Sequence, residues 1–183
     1  MATSVVDKKK YTYEDYLNIS DDKRYELIEG ELLMAPSPFT RHQRISRKIG
    51  ALLDEYVTEN GLGEIFFAPC DVYFDDGNVV QPDILYITKE RSGIVTEKNI
   101  QGAPDIAIEI VSKSSAYRDM VQKKALYLKF GVSEYWIVIP ENEIIEIHVL
   151  KGNVLQLYKT YEKDDTLESP CLKGLKMQLR EIF

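Results

Sequence analysis

The chain reads as an α/β protein built on a mixed sheet. Short runs rich in β-branched and aromatic residues alternate with two segments of helical periodicity. Residues 105–139 read as strand, helix and strand, which requires a parallel crossover. No repeat, low-complexity tract or Pro/Gly/Ser linker divides the 183 residues. Residues 1–183 are therefore expected to form one domain, with 1–10 flexible.

The elements follow in order. Thr12 caps a short helix, and Asp15 takes the capping-box position. Residues 24–35 read as a hairpin turning at Glu29-Gly30, with Pro36 and Pro38 behind it. Ile45, Ile49, Leu52, Leu53 and Tyr56 recur at three- and four-residue steps, which predicts an amphipathic helix over 39–60 ended by Gly61. Residues 65–74 and 79–87 read as strands flanking Asp75-Asp76-Gly77-Asn78, a hairpin signal. Residues 105–111 form a buried strand, and 115–130 a helix stopped by Gly131. Strands over 134–139, 143–150 and 154–160 come next, and an apolar stretch near 172–179 closes the chain.

Hydrophobic residues make up 44% and charged residues 29%, enough for a full core without metal or disulfide staples. No apolar run is long enough for a transmembrane helix, and Lys8, Lys9 and Lys10 precede no apolar stretch that would mark a secretory signal. Cys70 and Cys171 are isolated, which fits a reducing cytoplasm. A net charge of −7 excludes a body that coats nucleic acid over its whole surface. It leaves room for a local stripe. Arg41, Arg44, Arg47 and Lys48 step along one side of the long helix, and Lys113, Arg118, Lys123 and Lys124 form a second cluster.

Two carboxylates stand out. In 106–111, Ile106, Ile108 and Ile110 share one face, while Glu109 lies with Ala107 and Val111 on the other. Asp83 shares a face with Gln81 and Leu85, and Pro82 beside it marks an edge or an end of pairing. If the two strands are neighbours, Asp83 and Glu109 converge, and a divalent cation with oxygen ligands would neutralise them. On the next helix, at 100° per residue, Tyr117, Met120, Val121 and Leu128 define the apolar arc. Lys124 falls near its centre and Lys123 at its edge, beside Tyr127. Asp, Glu, a metal and a lysine make a phosphodiester-hydrolysis site.

Pro82-Asp83, followed 26 residues later by Glu109, resembles the PD-(D/E)XK signature of restriction-endonuclease-like nucleases. Four ordered stretches resemble a bacterial restriction-endonuclease family within it: Tyr25-Glu26-Leu27-Ile28-Glu29-Gly30-Glu31, Val79-Val80-Gln81-Pro82-Asp83-Ile84, Glu109-Ile110-Val111-Ser112-Lys113-Ser114-Ser115 and Gly131-Val132-Ser133-Glu134-Tyr135-Trp136-Ile137-Val138. The resemblance spans about residues 11–150. It implies a restriction-endonuclease-like mixed sheet flanked by helices. It also implies a Mg²⁺-dependent endonuclease that hydrolyses phosphodiester bonds of DNA. Asp83 and Glu109 would bind metal. The usual lysine position holds Val111, and in the resembled family that lysine is displaced to the following helix, four residues before a tyrosine. Counting back from Tyr127 gives Lys123, with Lys124 as its rival. The resemblance adds Glu26 as a third carboxylate and His42 as a phosphate or water contact.

Plainer readings stand beside these. Asp83 could bond backbone, and Glu109 could pair with Lys123 or Lys124 without metal. Glu26 could be a surface strand residue, and the basic stripe a solvated helix face. Tyr135-Trp136 fit core packing. The rival function is a catalytically inactive nuclease-fold adaptor that binds nucleic acid or protein, an alternative that Val111 keeps open. A homodimer across 143–160 is compatible with either.

Overall fold

The computed structural model describes residues 9–35, 37–112 and 115–183. Pro36, Lys113 and most of the segment expected to be flexible lie outside them.

Helix α1 (Tyr13–Leu17) carries the expected capping box: Asp15 donates its N–H to the Thr12 hydroxyl, and the Asp15 carboxylate accepts from the Thr12 N–H. β1 (Arg24–Ile28) and β2 (Glu31–Ala35) pair from Ile28↔Glu31 outward. The two-residue turn places Glu29 at φ 52 and Gly30 at φ 78, the doubly left-handed geometry that matches strand twist. α2 spans Thr40–Glu59. Ile45, Ile49, Leu53 and Val57 are its buried stripe.

The expected strands over 65–74 and 79–87 are each cut in two. β3 (Gly63–Phe67) and β6 (Ile84–Thr88) pair in a six-stranded sheet, while β4 (Val72–Asp75) and β5 (Asn78–Val80) form a hairpin in a five-stranded one. Pro69 and Pro82 sit at the cuts. Proline has no N–H to extend a ladder, so the chain changes sheets there. Asp83 thus stands at a crossing between sheets and not inside a strand.

β7 (Ile100–Gln101) lies parallel to β4. β8 (Ile106–Ile110) pairs antiparallel with β6 and parallel with β9 (Glu134–Ile139), which is the predicted crossover. The linking helix is a wide π turn, Arg118–Lys123, running into α3 (Lys124–Phe130). β10 (Ile144–Lys151) and β11 (Val154–Glu162) finish the larger sheet, ordered β11-β10-β9-β8-β6-β3. The short pair β12 (Thr166–Leu167) and β13 (Met177–Gln178) closes the chain.

The larger sheet is covered on both faces. Ile106, Ile108 and Ile110 pack with α2 and with Leu172, Leu175, Met177 and Leu179 of the C-terminal stretch. Ala107 and Val111 pack on the other side with Leu126 and Tyr127 of α3 and with Ile28, Val72 and Val80 of the smaller sheet. Glu109 therefore points between the two sheets, toward α3, as strand alternation dictated.

Glu134 fastens the C-terminal stretch. Its buried carboxylate accepts from Trp136 Nε1 at 2.6 Å, Ser169 Oγ at 2.8 Å and the Cys171 N–H at 2.8 Å. Burial outweighs these bonds and raises its pKa above the ordinary 4.5. The folded chain thus holds this proton more tightly than the unfolded chain. Its share of stability is full below 4.5 and is lost as pH rises through the raised value. Glu134→Ala strands three buried donors, and urea unfolding should show a loss of about 3 kcal/mol. The variant should also show a shallower decline of stability with pH above 4.5. An unchanged decline would refute the assignment.

Candidate active site

Five elements meet at one cavity of about 150 Å³ between the sheets and the π turn. That is room for roughly five waters at about 30 Å³ each. Glu26 comes from β1, Asp83 from the crossing before β6, and Glu109 from β8. Asp119 and Lys123 come from the π turn, and His42 from the first turns of α2.

Lys123 is the centre. Its Nζ donates to Glu26 Oε1 at 2.6 Å and Glu109 Oε1 at 2.8 Å, and lies 3.9 Å from Asp119 Oδ1. Its side chain is 3% exposed. Tyr127 OH donates to the same Glu109 oxygen at 2.6 Å. Arg118 Nε stands 3.5 Å from Glu26 Oε2 and 3.8 Å from Asp119 Oδ1, and the Gln81 N–H donates to Glu26 Oε1 at 2.9 Å. Glu26 is thus a buried member of the cluster and not a surface strand residue. It shares the inner face of β1 with Ile28, which packs into the core.

Burial pushes the Glu109 carboxyl well above its ordinary 4.5. Lys123 opposes that, and Asp119, Asp83 and Glu26 add to it. For Lys123, burial disfavours the charge, but Glu109, Glu26 and Asp119 outweigh it and hold the ammonium charged. Four carboxylates, Glu26, Asp83, Glu109 and Asp119, line the cavity against three fixed cations, Arg24, Arg118 and Lys123.

Asp83 accepts from the Ile110 N–H at 2.7 Å, which ties it to the residue beside Glu109. The same oxygen, Oδ2, is 3.0 Å from His42 Nε2. A carboxylate cannot donate, so Nε2 carries a proton, and the buried Nδ1 has no hydrogen-bond partner among the described residues.

The helix holds the main departure from expectation. Tyr117, Met120 and Val121, the predicted apolar arc, are exposed. The inward face is Asp119, Lys123, Leu126 and Tyr127. A π turn spends an extra residue per turn, so counting at 100° overshoots past Arg118. Lys123 rotates inward, and Lys124 turns away to place its Nζ 3.0 Å from His148 Nδ1. The basic stripe on α2 also divides. Arg41 donates to the Pro140 carbonyl, and Lys48 donates to that of Ile182. Arg47 lines a second cavity beside the first. Asp119 and Tyr127 join the site from four residues either side of Lys123, and i,i±4 spacing on the lysine's helix is the sequence signal for both.

Glu109 Oε2 and Asp83 Oδ1 have no hydrogen bond among the described residues, while their other oxygens do. No three His, Cys, Asp or Glu side chains among the described residues form a ready-made ligand set. Two carboxylate oxygens with water completing the shell suit Mg²⁺, which keeps several waters.

The chain matches the Uma2 family, described as "Putative restriction endonuclease", over residues 12–180. It is similar to a crystal structure described as "a putative nuclease belonging to DUF820 from Anabaena variabilis ATCC 29413". The TM-score is 0.77 at 20% identity, covering 94% of this chain and 97% of that one. The shared nuclease fold is the one expected. No curated protein matches the sequence. No helix among the described residues is long and apolar enough to cross a membrane.

Lys123→Met leaves three buried carboxylates without their common cation and should cost about 3–5 kcal/mol in urea unfolding. Adding Glu109→Gln should recover part of that loss. Strict additivity of the two changes would show that the pair is not coupled.

Proposed function

The chain belongs to the Uma2 family, and from that premise we propose a metal-dependent endonuclease that hydrolyses phosphodiester bonds of DNA. One observation carries the reading: Glu109, an acid on an otherwise apolar strand, is held by Lys123 and Tyr127 in the cavity that Asp83 also lines.

Asp83 Oδ1 and Glu109 Oε2 are the oxygens that would hold Mg²⁺ or Mn²⁺. When bound, the ion polarises the phosphoryl oxygen and lowers the pKa of its water. The protein's own residues do the rest. Lys123 and Tyr127 both occupy Glu109 Oε1, which orients that carboxylate and leaves Oε2 free. The Lys123 ammonium offsets negative charge in a site where four carboxylates already gather, which favours approach of an anionic phosphate. Glu26 holds Lys123 from the opposite side and is a positioning residue. His42 donates its Nε2–H to Asp83 Oδ2, which holds that carboxylate, and its ring would contact the phosphate or water bound beside it. The superfamily's lysine position is filled by Val111, packed in the core. The amine reaches Glu109 from the helix instead, which supports hydrolysis over the inactive adaptor. A homodimer across 143–160 belongs to the same reading. β11 is the edge strand there, with Val154, Leu157 and Tyr158 exposed.

Purified protein should nick supercoiled plasmid with Mg²⁺ or Mn²⁺ and not with EDTA. Asp83→Ala and Glu109→Ala should each lower the rate on the order of a thousandfold. DNA binding without nicking in the wild type would instead favour the adaptor. Neither binding nor nicking would remove the nucleic-acid assignment.

A further inference from the structure

Two phenylalanines flank the His42–Asp83 pair in a way the core does not require. Phe39 is 77% exposed and lines the first cavity. Phe67 is 43% exposed and lines the second, of about 370 Å³. The cavities share Arg24, Pro38, His42, Ala68 and Asp83, so they are two lobes of one groove divided at the proposed metal ligand Asp83.

Phe67 is not a stray surface ring. It ends β3, one residue before Ala68, whose N–H donates to the Asp83 carbonyl at 3.1 Å. Its ring lies against α2 at Gly50. A Cβ built there would sit 2.1 Å from Phe67 Cε1, so only glycine admits the ring at that place. The sequence thus gives up a helix-favouring side chain in the middle of α2 to seat an aromatic face beside the groove. Cations suited to a phosphate backbone lie along both lobes. Arg118 and Arg24 line the first. Arg24 and Arg47 line the second, where Asp54 is the one carboxylate added among the described lining residues. Arg47 has no ion pair among the described residues.

We infer that this groove binds a nucleic-acid strand unpaired at the point of cutting, with the bases on either side of the scissile phosphate stacked on Phe39 and Phe67. The inference rests on the nuclease reading and names its substrate class. An aromatic face on each side of the reacting phosphate, with arginines along the path, is the arrangement that holds a single strand without reading its sequence. In a duplex the base faces are stacked on one another and cannot meet the rings.

The test is binding of an oligonucleotide carrying 2-aminopurine, measured in EDTA so that no cleavage intervenes. The single strand should bind more tightly than its duplex, with quenched emission. Phe67→Ala and Phe39→Ala should each weaken binding on the order of tenfold, and Phe67→Trp should retain it. Gly50→Ala, which displaces the ring, should act like Phe67→Ala. Equal or tighter duplex binding, or alanine variants that bind as the wild type does, would overturn the inference. Because binding is read without metal, a protein that cuts plasmid but prefers duplex loses this inference alone. One that stacks single strands but never cuts loses the nuclease reading alone.

Discussion

The molecule is organised around one buried ammonium. Lys123 reaches a cleft between two sheets and is met there by Glu26 from the smaller sheet and Glu109 from the larger, with Asp119 from its own turn close by. Removing such a charge from water costs several kcal/mol, and only close, well-directed partners repay it. The contact is therefore a strict positional constraint. β1, β8 and the helix after β8 must arrive in register, or three charges are buried unpaired. The same carboxyl groups that hold Lys123 line the cavity with Asp83, and they are the groups through which the proposed metal would be held.

The rest of the site follows from where the chain changes direction. Pro69 and Pro82 stop two ladders and hand the chain from one sheet to the other. Asp83 occupies that seam, with its backbone carbonyl taken by Ala68 and one carboxylate oxygen by the Ile110 N–H. An aspartate so held has one oxygen committed to structure and one left over. Glu109 is divided in the same way. This split of each carboxylate into an anchored and a free oxygen turns a structural ion-pair network into a candidate metal site.

Much of this was legible beforehand, and the reasons are local. The capping box at Thr12, the turn at Glu29-Gly30 and the inward side of Glu109 each depend on spacing within a few residues. The crossover over 105–139 follows from chain length and handedness. Other features needed information that short windows do not hold. The strand cuts depend on sheet switching, to which the prolines are only a clue. The burial of Glu26 depends on what covers the hairpin. The 100° wheel chose the wrong face because it assumed a uniform helix. Apolar Tyr117, Met120 and Val121 are exposed while the charged Asp119 and Lys123 are buried, an inversion that hydrophobic periodicity cannot reveal. The family resemblance, which places the lysine four residues before Tyr127, picks out the inward residue, because Lys123 and Tyr127 both bond Glu109 Oε1.

The most direct test of the central claim is anomalous diffraction from crystals of the wild-type protein soaked in Mn²⁺. The account predicts a peak bound by Asp83 Oδ1 and Glu109 Oε2, with Lys123 still on Glu109 Oε1 and water filling the remaining positions. Saturating Mn²⁺ with no density between these carboxylates would contradict it, leaving the Lys123 cluster as a structural ion pair alone.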